Sequence, residues 1–166
     1  SLTAKGSIGT SSAPVTVNAK TVTLTSNAVA GTPNIYIENN PKVLNNDSGS
    51  SQVTLGAVTT GTRAGNISYK QTGQNLLVSG GVTSNGGSIL IDPPVDVTVA
   101  SDIDAGGGNI TLQASNDISF TTGDLITSGT GTILVQADSD SDGAGNLTFT
   151  NAGGSATDAK VRTGSG

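Results

Sequence analysis

Short triplets of the form apolar-x-apolar recur along the chain. Four of them begin with isoleucine, at positions 67, 89, 110 and 133, so that successive triplets are 22, 21 and 23 positions apart. Each isoleucine follows a glycine and one small polar residue. Alternation with a period of two predicts a β-strand with one buried face. Recurrence at a nearly fixed period predicts a repeat architecture.

Further apolar elements follow each of the first three triplets. The second triplets lie at 76–78, 97–99 and 118–120, and a weaker third element supplies Val82, Ile103 and Ile126 ahead of a glycine and the next coil. Three short strands per repeat predict an all-β fold, a right-handed parallel β-solenoid in the form of a three-sided β-helix. Strands of successive coils then pair at about 4.8 Å, and no coil buries its apolar face alone.

The N-terminal part of the chain fits the same plan with less regular spacing. The triplet at 35–37 opens a coil that 53–55 continues, and the apolar residues at 15–17 and 22–24 predict another. We expect about six coils of 21 to 23 residues, which form a single domain over residues 1–166.

Two stretches are too long to be simple corners between strands. One lies near residues 41–51. The other, residues 138–145, falls between Ile133 and Leu147, which are 14 positions apart where neighbouring coils use eight or nine. We expect both to be lateral loops, because insertions into solenoids project from one face.

Composition narrows the classes of function. The 166 residues include 2% aromatic residues and no Cys, Met or Trp, so small aliphatic side chains must fill the interior. The net charge is −5, and the seven Lys and Arg residues are scattered, so we expect no nucleic-acid partner. No apolar run approaches the roughly 20 residues that a membrane-spanning helix needs.

Three segments share one pattern of small polar and aliphatic residues: GNITLQASNDI at 108–118, LTAKGSIG at 2–9 and VTLGAV at 53–58. They resemble the repeats of large bacterial β-helical surface proteins, the filamentous-haemagglutinin-like adhesins and related repetitive exoproteins. The resemblance covers most of the chain. It implies an extracellular or cell-surface location and a role in adhesion, surface coating or fibre formation, so we expect a structural or adhesive surface module.

The two ends of the sequence resemble parts of one coil. Residues 159–166 read as an unfinished coil, and residues 1–6 read as its continuation. We hypothesise that the chain is one repeat of a tandem array or a subunit that stacks head to tail, with itself as the partner. A host or matrix surface is the other expected partner. The alternative for the ends is a polar cap, with which solenoids normally prevent association.

An acidic run in the second loop offers metal ligands. Asp138, Asp140 and Asp142 alternate with serine and precede Gly143. Carboxylates at alternate positions before a glycine that permits a sharp turn are typical of the start of a calcium loop. The twelfth position is Phe149 instead of Glu, which excludes an EF-hand. We predict a calcium site at the three aspartates, and the alternative is a solvated acidic loop.

Residues for catalysis are scarce. The chain has no His, Glu38 is its single Glu, and Arg63 and Arg162 are its only Arg residues. Paired carboxylates could in principle hydrolyse glycosides, and alternation leaves Tyr36 as the one outward aromatic residue, with Phe149 pointing inward. We expect that the chain is not an enzyme. The alternative function is a glycan-binding or glycan-processing β-helix.

Polar residues at strand ends have a structural explanation. Asn66, Asn109 and Asn146 precede equivalent strands, and we predict that they hydrogen-bond from coil to coil at corners. Each also lies in an Asn-x-Ser/Thr sequon, so N-glycosylation is the alternative. The aspartates at strand ends are expected to cap turns through their own backbone.

Overall fold

The computed structural model describes residues 1–41, 52–92, 95–127, 130–150 and 160–164. These residues form strands and turns and contain no helix, so the predicted all-β class is confirmed. Val, Ile and Thr recur in the strands, and such β-branched side chains favour a pleated, half-buried surface over a helix. Every pairing between these strands is parallel.

The strands are short and follow one another closely along the described residues. They are β1 Leu2–Ala4, β2 Val15–Val17, β3 Thr21–Ser26, β4 Ile35–Asn39, β5 Gln52–Thr59, β6 Ile67–Gln71, β7 Asn75–Val78, β8 Val82–Thr83, β9 Ile89–Asp92, β10 Val97–Val99, β11 Ile103–Asp104, β12 Ile110–Gln113, β13 Ile118–Phe120, β14 Leu125–Thr127, β15 Ile133–Gln136, β16 Leu147–Phe149 and β17 Val161–Thr163.

The pairings form three ladders. The first ladder is a six-stranded sheet in the order β15-β12-β9-β6-β4-β2. The second, β16-β13-β10-β7-β5-β3, and the third, β17-β14-β11-β8-β5-β3-β1, belong to one 11-stranded sheet and share β3 and β5. We call one passage of the chain through the ladders a winding. Parallel strands in such curled sheets form a β-solenoid-like fold.

The repeat seen in the sequence sets the register of the first ladder. Ile67 lies opposite Ile89, Ile89 opposite Ile110, and Ile110 opposite Ile133. Ile35 precedes them in the same column, opposite Ile67. The predicted pairing of these triplets is therefore confirmed. Ile67 and Ile110 are each 1% exposed, so the column lies in the core.

The pairing of the third ladder decides which residue of β14 faces inward. Val82 and Ile103 are buried, and the residue that pairs with Ile103 is Leu125, so Ile126 does not continue their column. Asp124 lies over Asp102, to whose carboxylate its N–H donates at 3.0 Å. The same register turns the next residue, Leu125, inward, and Ile126 faces outward with the opposite pleat.

The N-terminal windings pair as the spacing predicted. β2 pairs with β4, and β3 pairs with β5. Ile8 forms an isolated bridge with Ile35, while Val15 lies opposite Ile37, so residues 9–14 stand outside the ladder. The loop expected near 41–51 lies, apart from Pro41, outside the described residues. The expected loop at 138–145 does separate β15 from β16.

A column of buried hydroxyls follows the third ladder. Ser26, Thr60, Ser84 and Thr127 are each 0% exposed. Each hydroxyl donates to a carbonyl oxygen of a nearby turn, either the turn that leads to the next strand of the first ladder or a turn of a neighbouring winding. Thr60 donates to the carbonyl oxygen of Ser84 at 2.9 Å, and Thr127 donates to that of Gly108 at 2.6 Å. Within the described residues, no buried side-chain nitrogen or oxygen lacks a partner. The corner is therefore polar but fully satisfied.

Several exposed apolar residues lie where a ladder runs out of described strands, whereas Val29, 92% exposed, lies in the turn between β3 and β4 and Leu134, 51% exposed, lies on the outward face of β15. Leu147 is 47% exposed, Phe149 44% and Val161 46% at one end, and Leu2 is 39% exposed at the other. Phe149 occupies an inward column, as predicted, and stacks on Phe120 with ring centroids 4.6 Å apart. Its exposure therefore reflects its place at the edge of the stack, not an outward orientation.

Glycines stand where the backbones of successive windings come closest. A Cβ on Gly108 would collide with the carbonyl group of Gly87, and a Cβ on Gly87 would collide with Gly65. These glycines immediately precede the small polar residue before each isoleucine of the first ladder. Only a residue without a side chain allows that approach.

We expect Gly108→Ala to destabilise the fold by about 1–3 kcal/mol, because the methyl group must push backbone atoms of the neighbouring winding apart. The control is Gly81→Ala, where the nearest atom to an added Cβ is 3.9 Å away and the change should stay within about 0.5 kcal/mol. Urea unfolding measures both. Equal midpoints for the two variants would contradict the close packing at this corner.

Candidate functional site

The loop between β15 and β16 brings the three predicted metal ligands together. Oxygen atoms of Asp138, Asp140 and Asp142 all lie within 4.8 Å of one another. Asp138 and Ser141 adopt positive φ angles of 54° and 60°, which turn the loop back on itself. The Asp138 N–H donates to the carbonyl of Asn116 at 3.1 Å, so the preceding winding anchors the loop.

The carboxylates of this loop are only partly used by the protein. Asp138 accepts a hydrogen bond from the Gly143 N–H at 3.2 Å, and Asp142 accepts one from the Ala144 N–H at 2.8 Å. Asp140 is exposed. The ion pair found in the described residues joins Arg162 to Asp124, at 3.0 Å, and does not involve this loop. Oxygen ligands at this spacing suit a hard cation such as calcium.

Polar side chains at the first ladder bind successive windings together. Asn34 accepts a hydrogen bond from the Asn66 N–H at 2.8 Å, and Asn66 accepts one from the Ser88 N–H at 2.9 Å. Asn109 accepts one from the Thr132 N–H at 2.9 Å. The predicted role of Asn66 and Asn109 as corner residues is confirmed.

The aspartates use a different partner from the one predicted. Asp96 accepts a hydrogen bond from the Asp117 N–H at 3.2 Å, and Asp117 accepts one from the Asn146 N–H at 2.8 Å. The Asp124 carboxylate likewise accepts from the Lys160 N–H at 2.7 Å. Each of these carboxylates thus serves the next winding instead of its own turn. The expected pattern holds at Asp104, which accepts from Gly106 two residues on, at 2.7 Å.

Sequence reasoning missed a charged row on the outer face of the first ladder. Glu38 lies opposite Lys70, and Lys70 lies opposite Asp92. With Asn40 and Thr72 they line a shallow hollow. The signal was present, because each charged residue stands three positions after an isoleucine of the repeat. Tyr36, the outward aromatic residue predicted beside this row, is half-buried.

Tyr69, on the inward face of β6 in the first ladder, forms a buried polar contact. The side chain is 1% exposed. Its hydroxyl donates to Gln71 Oε1 at 2.7 Å and accepts from Asn39 Nδ2 at 3.0 Å. Burial raises the pKa of Tyr69 to about 12, because a phenolate would lose its water shell, and the hydrogen bond from Asn39 lowers that pKa by less.

Comparison of the chain with protein-family models, with curated proteins and with solved structures finds no match. A search of the described residues for a helix long and apolar enough to cross a membrane also finds none. The function must therefore be argued from the geometry of the ladders, the acidic loop and the outer face.

We expect calcium to stabilise the chelator-treated protein if the three aspartates bind it. At a calcium concentration about 100 times the Kd, the melting temperature should rise by roughly 5–10 °C. Asp140→Asn should remove most of that rise, because a ligand oxygen loses its charge. Asp102→Asn, which keeps an acceptor at a corner, is the control. If calcium does not change the melting temperature of the unmodified protein, the calcium site is wrong and the three aspartates belong to a solvated acidic loop.

Alkaline pH should weaken the fold through Tyr69. Its pKa is about 12 in the folded chain against an ordinary value of 10.0, so the unfolded chain loses the proton first. The contribution is present below pH 10 and is lost as the pH rises to about 12. Across this pH range, the urea midpoint of the Tyr69→Phe variant should fall less steeply with pH than that of the unmodified protein. In the Tyr36→Phe variant, Tyr69 is the one tyrosine left in the chain, so tyrosinate absorbance reports its ionisation alone. A titration midpoint near pH 10 in that variant would contradict the burial of Tyr69.

Proposed function

We propose that the chain is a right-handed, three-sided β-solenoid of about six coils that serves as a structural or adhesive module of a secreted or cell-surface bacterial protein. In this proposal, each of the three ladders is one side of the solenoid. The module belongs to a larger adhesin or extracellular filament, as the resemblance of its repeats implies. It acts by presenting a stiff surface, not by chemistry.

The observation that carries this proposal is the continuous parallel pairing along the ladders, with one register shift between β3 and β5. The strands pair in parallel from β2 to β15 in the first ladder and from β3 to β16 in the second. Successive windings therefore rest on one another through their paired strands, while residues 9–14 stand outside the ladder. Such stacked repeats make a stiff body, because a winding has no apolar core of its own and cannot bend away from its neighbours without losing backbone hydrogen bonds.

Charged and polar corner residues support a passive role for most of the surface. Several carboxylates that might have served acid-base chemistry, such as Asp96, Asp117 and Asp124, accept backbone hydrogen bonds from the next winding. The loop at 138–145 is the described place best suited to a specific contact with a host or matrix surface, because it interrupts the spacing of the strands and carries the three converging carboxylates.

The alternative is a glycan-binding or glycan-processing β-helix, and one observation favours it. The outer row of Glu38, Lys70 and Asp92 combines both charges with amide and hydroxyl groups in one hollow, close in sequence to Tyr36. Sugars are commonly bound by such polar groups beside an aromatic ring. The hollow is shallow and Tyr36 is half-buried, so we rank this function second.

Native-state amide exchange tests the structural proposal. The N–H groups of Ile67, Ile89 and Ile110 each donate to the next winding, at 2.8–2.9 Å. We expect all three to exchange with one common free energy, that of unfolding the whole central stack, and loop residues such as Ser141 to exchange far faster. Independent opening of single central windings would contradict a stiff module.

The same preparation distinguishes the alternative. Incubation with a panel of polysaccharides, followed by a reducing-end assay and by binding to a glycan array, should give neither turnover nor selective binding. Turnover or binding that is lost in Lys70→Ala but kept in Lys160→Ala would replace the structural proposal with the glycan function.

A further inference from the structure

A turn with two successive left-handed residues joins the third ladder to the first ladder in the middle of the stack. Between β8 and β9, Asn85 has a φ of 52° and Gly86 a φ of 112°. Two positive φ angles in succession favour Asn followed by Gly, because Asn tolerates this conformation and Gly has no Cβ to oppose it. The sequence contains this Asn-Gly pair once. The geometry of the corner therefore accounts for the pair.

An Asn-Gly pair is chemically reactive, because no side chain on the glycine shields its backbone nitrogen. That nitrogen attacks Cγ of the asparagine, and a new C–N bond closes a five-membered succinimide ring. The bond from Cγ to Nδ2 breaks, and ammonia leaves with the proton of the backbone nitrogen. Water then opens the ring at either of its two carbonyl groups. The product is aspartate or isoaspartate.

Both reacting groups of the pair are held by neighbouring windings. The Asn85 Nδ2 donates to the carbonyl oxygen of Gly61, in the preceding winding, at 2.6 Å. The Gly86 N–H donates to the carbonyl oxygen of Ala105, in the following winding, at 2.7 Å. Asn85 and Gly86 are themselves exposed, so water reaches them. Hydrogen bonds to two windings, and not burial, therefore restrain the pair.

The following winding also lies directly on the reactive peptide bond. Gly106 has a φ of 64°, and a Cβ added to it would lie 2.9 Å from the nitrogen of Gly86 and 3.2 Å from the carbonyl carbon of Asn85. A peptide group covered this closely cannot turn its nitrogen toward the Asn85 side chain while the covering winding stays in place. Succinimide formation therefore requires the corner to open.

We propose that Asn85 and Gly86 form a self-modification site, which the two adjacent windings hold inactive and which opening of this corner activates. The product fits the corner badly. An ionised aspartate has no hydrogen to donate to the Gly61 carbonyl, and isoaspartate adds a methylene group to the main chain between β8 and β9. Modification thus makes an opening irreversible. The inference goes beyond the structural role and does not depend on what the module contacts.

The rate of deamidation in the folded and unfolded chain tests the proposal. The protein is incubated at mildly alkaline pH in water labelled with heavy oxygen, either in buffer or in urea above the unfolding midpoint. Peptide mass spectrometry then measures the label at Asn85, and a synthetic peptide of residues 82–90 gives the unrestrained rate in each solvent. The folded protein should react at least about 100-fold more slowly than the unfolded protein, because only open molecules react.

A folded-state rate equal to that of the peptide would overturn the inference. If the central amides of the first ladder stay protected in that case, the structural proposal stands without it.

Amide exchange at Gly86 shows whether the neighbouring winding is the cause. Succinimide formation and exchange both require removal of the proton that Gly86 donates to Ala105, so the folded state should slow deamidation at least as much as it slows exchange. In Gly106→Ala, both should become about tenfold faster or more, because the methyl group displaces the covering winding. Gly81→Ala, where the nearest atom to an added Cβ is 3.9 Å away, should change neither.

Circular dichroism establishes that Gly106→Ala is folded, and the two rates of the unmodified protein decide the question if it is not. Slow exchange at Gly86 together with unslowed deamidation at Asn85 would contradict control by the windings.

Two substitutions of Asn85 test the effect of the product. Glycine occupies the equivalent place in both adjacent windings, at Gly61 and Gly106, so Asn85→Gly fits the turn and cannot react. Asn85→Asp places a carboxylate against the Gly61 carbonyl. By urea unfolding, the folding equilibrium constant of Asn85→Asp should be about fivefold or more below that of Asn85→Gly. Equal constants for the two variants would show that modification does not prevent the corner from closing again.

Discussion

The whole molecule depends on parallel backbone pairing between equivalent residues of successive windings. Because strands pair at about 4.8 Å, a residue and its counterpart one winding later are held in contact, side chain upon side chain. The column from Ile35 to Ile133 is the result in the core. The same proximity requires glycine at Gly87 and Gly108, where backbone meets backbone. One constraint thus determines both the largest and the smallest side chains of the repeat.

The same stacking explains how a chain rich in Asp, Asn, Ser and Thr stays ordered. Parallel strands end with N–H groups that the ladder does not pair, and side chains of the preceding winding accept from them, as Asn66 and Asp117 do. Inside the third corner, Thr60 and Thr127 donate to the carbonyl oxygens of Ser84 and Gly108. Polar residues therefore connect windings. The charges of the acidic loop at 138–145 and of the row formed by Glu38, Lys70 and Asp92 have no such role in the pairing of the strands.

Stacked repeats also create the problem of their own ends. Inside the stack each apolar column is covered on both sides, but among the described strands Leu147, Phe149 and Val161 are covered on one side only. Among the described strands, the third ladder has one strand more than either of the other two, because it includes both β1 and β17.

The sequence by itself determined the strand class and the register, because the period of the isoleucine triplets depends on local alternation and on a spacing that can be read directly. It also located the acidic loop, since an insertion interrupts that spacing. The pleat of β14, where Leu125 rather than Ile126 faces inward, is visible only in the pairing of β14 with β11. The tertiary structure alone decided which carboxylates serve the neighbouring winding, how Glu38, Lys70 and Asp92 meet, and that the third ladder has an additional strand. Each of these features depends on which residues of one winding lie beside which residues of the next, 20 to 36 positions away. The irregular spacings in the N-terminal part of the sequence do not show which residues correspond until the strands are paired.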